Sequence, residues 1–189
     1  TIVEVDQNDV TRVNMGINHF DFNWNLKENE SFQTPEIIMV YSSDGINGMS
    51  QTFHNIFNNN IIRGKYKNRS RSVLINNWEA TYFDFDEEKI LSLARKAKAL
   101  GVEMFVLDDG WFGTRNDDFQ GLGDWYVNME KLPNGISGLS KKINDLGMKF
   151  GLWFEPEMAN KNSDLYRAHP DWILSAPGRY DTSSRNQHV

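Results

Sequence analysis

The 189-residue chain contains no cysteine, which excludes a disulfide scaffold and any thiolate-ligated zinc site. It has no Lys/Arg run, and 20 basic against 26 acidic side chains leave a formal charge of -6. Nucleic acids and anionic membranes demand clustered basic residues to displace counterions, so neither is an expected partner. No stretch approaches the roughly 18 to 20 consecutive apolar residues of a membrane helix. Thr1-Ile-Val-Glu4 lacks the basic and apolar regions of a signal peptide, and there is no initiator Met, so the natural N-terminus is expected elsewhere. These absences fit a cytoplasmic protein acting on small neutral ligands.

Aromatic residues are plentiful instead, at 13% with six tryptophans. Most of the tryptophans fall at predicted strand ends or in loops, where indole faces stack on sugar rings or form interfaces. A hydrophobic share of 39% suffices for a sizeable core in one or two domains.

Period-two patterns at 10–13, 20–24 and 37–41 predict antiparallel strands over the first forty or so residues. Met49, Phe53, Ile56 and Phe57 then follow helical spacing, with His54 beside the stripe as a structural histidine. A domain boundary is expected near 63–72. Beyond it strand and helix alternate. Val73-Leu-Ile75 is a strand, and Asp84, with Glu87 at the capping-box position, caps a helix whose apolar face is Ile90, Leu93, Ala94, Ala97 and Leu100. Residues 102–107 form the next strand, Ile136, Leu139, Ile143 and Leu146 mark the next helix, and 148–154 the third strand. This βαβ rhythm predicts a parallel sheet, with a (β/α)8 TIM-type barrel as the leading architecture. Residues 73–189 are less than half of the roughly 250 that such a barrel takes.

Each strand delivers polar and aromatic groups to one face: Asn76-Asn-Trp-Glu79, Asp108-Asp-Gly-Trp111, and Trp153-Phe-Glu-Pro-Glu157. In a barrel this C-terminal face carries the chemistry. Carboxylates accept strong hydrogen bonds from sugar hydroxyls while indoles cover the apolar ring face. Against this, Asp-Gly is a common turn dipeptide, so Asp108 and Asp109 could simply cap a turn, and any single Trp could belong to the core. Asp109 with Glu155 or Glu157 could also form the carboxylate pair of a glycosidase. His169 and His188 lack the helical spacing of a metal pair.

Leu74-Ile-Asn-Asn-Trp-Glu-Ala-Thr-Tyr-Phe83, the stretch from Phe105 to Gly113, Gly123-Asp-Trp125, Lys131-Leu-Pro-Asn-Gly135, Gly151-Leu-Trp-Phe-Glu-Pro-Glu-Met158, His169-Pro-Asp-Trp172 and Arg185-Asn-Gln187 stand in an order that resembles glycoside hydrolase family 36 α-galactosidases. The resemblance begins near Met15 and departs at Ser72, Ala159 and His188, where proline, valine and leucine are usual. It implies a retaining hydrolase of terminal α-1,6-galactose in melibiose, raffinose and stachyose, without metal or cofactor, homo-oligomeric at full length. It implies that residues 1–62 are the end of an N-terminal β-supersandwich plus a connecting helix. Residues 63–189 are then the first part of an incomplete (β/α)8 barrel. Asp108, Asp109, Trp78, Trp153 and Arg185 are the implied galactose-binding residues, with Glu155 and Glu157 organising the neighbouring loop. The family's nucleophile lies in a Lys-Trp-Asp motif and its acid/base further on. Neither occurs in these 189 residues, so both are expected beyond Val189 and the chain alone is expected to be inactive. A galactosyltransferase of the raffinose-synthase kind, or an inactive fragment with at most sugar binding, are the competing readings.

Overall fold

The computed structural model describes residues 1–20, 22–178, 183–184 and 187–188. The chain divides into two units, Thr1–Arg69 and Ser70–Val189.

In the first unit, β1 (Ile2–Val5) and β2 (Thr11–Asn14) form an antiparallel hairpin. Its turn is closed by Asp6, whose Oδ1 accepts the Asn8 and Val10 N–H groups. The strands expected at 20–24 and 37–41 do not form, and Asp21 lies outside the described residues. Phe20 is 76% and Tyr41 93% exposed. Alternation specifies a buried face only where a second layer covers it, and these side chains meet none among the described residues. Helix α1 (Gly45–Ile56) continues into a π-helical turn, Phe57–Ile61, and Phe53 stacks on Phe57 at 5.8 Å. A 3-10 turn, Gly64–Tyr66, follows.

The second unit is built on a parallel sheet of β3 (Leu74–Asn76), β4 (Met104–Leu107) and β5 (Lys149–Leu152), ordered as in the sequence. The short helix α2 (Trp78–Thr81) leaves β3; α3 (Glu87–Ala99) leads into β4 and α4 (Gly135–Asp145) into β5. Asp86, rather than Asp84, caps α3: its side chain accepts the Lys89 N–H at 2.8 Å. Asp84 instead pairs with the Lys89 ammonium, because the chain is still extended at Asp86 and the helix begins after it. Ile90, Leu91, Ala94 and Ala97 of α3 and Leu139 and Ile143 of α4 close over Phe105 and Leu107 of β4 as one core. Leu100 drops out of that face and is 85% exposed, since it already belongs to the helix end that Gly101 turns at φ 89°.

Beyond β5, β6 (Ala159–Asn160) pairs with β8 (Gln187–His188), which pairs with β7 (Ser183–Ser184). Between them α5 (Asp164–Ala168) is capped by Ser163 and followed by a 3-10 turn, Pro170–Trp172. Asp124, reaching from the long loop at 113–134, accepts the Asp164 and Leu165 N–H groups and anchors α5 to that loop.

Candidate functional site

Because β3, β4 and β5 run parallel, the residues that follow them emerge along one edge. Asp108 leaves β4 with its N–H donating to Asn77 Oδ1 at 2.9 Å. Its Oδ2 accepts from the Asn76 amide at 2.7 Å and its Oδ1 from the Asp109 N–H at 2.8 Å. The chain bends at Asp109-Gly110, with Gly110 at φ 97°. A Cβ at Gly110 would stand 3.0 Å from the Phe83 ring and 3.3 Å from the Arg115 carbonyl, so glycine is required on two counts. Lys131 ties the bend down by donating to the carbonyls of Phe83 and Gly110 at 2.9 and 3.0 Å.

Asp108 is 9% and Asp109 5% exposed, and their surroundings differ. Burial pushes the Asp108 carboxyl above its ordinary value, and the Asp109 charge adds to this while the Asp109 N–H opposes it. Asp109 meets Arg115, which is 1% exposed. The guanidinium Nε lies 3.0 and 3.1 Å from the two Asp109 oxygens and Nη2 lies 2.8 Å from Oδ2.

Trp111 is buried in the core, and its indole N–H donates to the Trp153 carbonyl at 3.0 Å, which fixes the backbone where β5 ends. Trp153 lies nearly parallel to Phe112, at 13° and 6.5 Å, and edge-on to Trp125 at 6.5 Å. Trp78 is held edge-on by Tyr82 and Phe83 at 5.2 and 5.1 Å. The core reading of a Trp thus applies to Trp111, whereas Trp78 and Trp153 face a cleft.

That cleft, of about 410 Å³, is lined by Trp78, Asp108, Asp109 and Trp153 together with Arg115, Asp118, Phe154, Glu155, Glu157 and Gln187. Four of the five residues singled out from sequence are brought together; the fifth, Arg185, lies outside the described residues. Five carboxylates against a single arginine make the lining rich in acceptors, which suits a polyhydroxylated neutral ligand. Gln187 is buried, and its Oε1 has no hydrogen-bonding partner among the described residues. Arg115, Asn160 and Asp118 escaped the sequence reading: they sit in polar stretches with no apolar period, and the one visible signal was an arginine six residues beyond Asp109.

With this geometry in hand, comparison with known proteins gives a consistent result. The Melibiase family pattern matches residues 31–189. The chain belongs to the melibiase family. It is 60% identical over 187 residues to alpha-galactosidase AgaA of Geobacillus stearothermophilus, and 54% identical to alpha-galactosidase Mel36A of Lactobacillus acidophilus. Each alignment covers 99% of this chain and 26% of the relative, so the chain spans about a quarter of the length of these relatives. The crystal structure of the GH36 alpha-galactosidase AgaA superposes with a TM-score of 0.93, again over 99% of this chain and 26% of that one. A variant of AgaA solved in complex with raffinose, 59% identical over the same shares of the two chains, gives 0.92.

Proposed function

We propose that the cleft is the galactose-binding half of the active site of a retaining α-galactosidase, which removes terminal α-1,6-linked galactose from melibiose-, raffinose- and stachyose-type oligosaccharides. The observation that carries this reading is the convergence of Asp108, Asp109, Trp78 and Trp153 on one cleft at the C-terminal edge of a parallel sheet, in a melibiase-family chain. The AgaA variants solved with stachyose and with raffinose support the substrate class.

In this reading β3, β4 and β5 are the opening strands of a (β/α)8 barrel. Their parallel pairing in sequence order supports it, as do the outer β3 and β5, each paired on one side alone among the described residues. Asp108 and Asp109 accept hydrogen bonds from galactose hydroxyls, and ionised acceptors make such bonds roughly twice as strong as neutral ones. Trp78 and Trp153 wall the ring. The nucleophile and the acid/base of a retaining mechanism come from outside these 189 residues, which contain no Lys-Trp-Asp. The acidic, cysteine-free composition supports a cytoplasmic setting.

The test uses the full-length product of the gene that encodes this chain. It is expected to release p-nitrophenol from p-nitrophenyl α-galactoside, and proton NMR of early product is expected to show α-galactose. A folded full-length protein that releases nothing would sink the proposal, and β-galactose as first product would sink retention.

A further inference from the structure

We infer that Arg115 is a positioning residue for sugar recognition: its guanidinium fixes the plane of the Asp109 carboxylate so that the lone pairs it leaves free point at the substrate. This rests on the galactoside reading above and goes beyond it, since Arg115 is itself almost inaccessible.

Four of the five guanidinium N–H groups are hydrogen-bonded, and the charge also sits near Asp118. Nε and Nη2 take Asp109, with Nη2 also 3.6 Å from Asp118 Oδ1; Nη1 donates to the Gln120 carbonyl at 3.2 Å and to Asn160 Oδ1 at 3.0 Å. The far end of the hub is fixed as well. Asn160 Oδ1 accepts the Leu122 N–H at 3.0 Å and the Asn160 amide donates to the Asp118 carbonyl at 3.1 Å. A planar group held by four hydrogen bonds on two sides cannot rotate, and a carboxylate bound side-on to it cannot rotate either. The fork occupies about half of the four or so lone-pair directions of Asp109. The remainder belong to a carboxylate that lines the cleft.

Stability alone accounts poorly for this pair. Removing two charges from water largely cancels their attraction, and apolar replacements of similar volume are often as stable. An orientation that an apolar pair cannot reproduce is what the ion pair adds. Lysine, a point charge without a fork, supplies the charge but not the plane.

The experiment compares wild type, R115K, D109N and R115M/D109N in the full-length gene product on p-nitrophenyl α-galactoside, with galactose as a competitive inhibitor and near-ultraviolet circular dichroism as the check on folding. R115K is expected to raise KM and the galactose inhibition constant together by about tenfold or more, with kcat changed far less. A merely structural role lowers the melting temperature and the folded fraction without moving KM. Adding R115M to D109N is expected to change KM by less than about threefold, because the residue through which Arg115 acts is already altered. That double variant also carries no unpaired buried charge, so it reports even where R115K fails to fold. An R115K protein with wild-type KM, or an R115M/D109N protein whose KM exceeds that of D109N by more than about threefold, overturns the proposal. A full-length wild type that neither binds nor cleaves galactosides removes the reading beneath it instead.

Discussion

Asp108 and Asp109 are adjacent in sequence and alike in chemistry, yet one is held by neutral amides and the other by a guanidinium. The difference predicts a pH dependence for the first. A carboxyl whose native pKa is raised by burial is penalised in its ionised form, fully at neutral pH, and the penalty fades as pH falls through the native pKa. Sugar affinity runs the opposite way. Under the proposed function, protonating Asp108 converts a charged acceptor into a weaker neutral one, and galactose affinity in the full-length protein is expected to fall about tenfold as pH drops through that raised value. Calorimetric titration with galactose across pH checks this, and an affinity that holds constant from neutrality down to about pH 4 contradicts it.

Among the elements, one buried acid bridges α3 and α4 beside their shared apolar core. Glu87, in the first turn of α3, accepts the Asn134 amide at 3.1 Å and pairs with Lys142 of α4. Burial pushes its carboxyl up, but Lys142 and the two Asn134 donors outweigh this and leave the pKa below the ordinary value. The stabilisation is therefore present above the unfolded pKa and is lost as pH falls through the native one. Glu87→Gln is expected to cost about 1 to 3 kcal/mol at neutral pH, with a smaller deficit in acid, read from urea unfolding of the full-length protein. An unchanged midpoint at both pH values contradicts it.

Elements of this kind were largely legible in the sequence, because Ile90, Ala94, Leu139 and Ile143 each bury one face of a helix against β4 and so repeat at helical spacing. The alternation at 20–24 and 37–41 is equally clear but misled, since pairing partners and a covering layer are tertiary facts that no local period encodes. The cap shifted from Asp84 to Asp86 for a similar reason: both are acceptable N-caps, and the extended run past Phe85 decides between them. Asp108, Asp109, Trp78 and Trp153 could be found from sequence because each follows a predictable strand. Arg115 could not, since its burial depends on the path of the loop at 113–134 and on Asn160 some forty-five residues further on.

On the scale of the whole molecule, the parallel sheet is what turns three separate strand ends into one cleft. Parallel pairing places every strand exit along the same edge, and the direct pairing of β4 with β5 makes the residues after them neighbours without any direct sequence link. In the proposed function this cleft grips a galactose ring through the two adjacent aspartates. The most direct test is a crystal structure of the full-length gene product with galactose bound. Galactose is expected in the cleft, with hydroxyls within about 2.5 to 3.0 Å of the Asp108 and Asp109 carboxylates and the ring between Trp78 and Trp153. Galactose bound elsewhere, or seated in the cleft with neither aspartate in hydrogen-bonding reach, would contradict it.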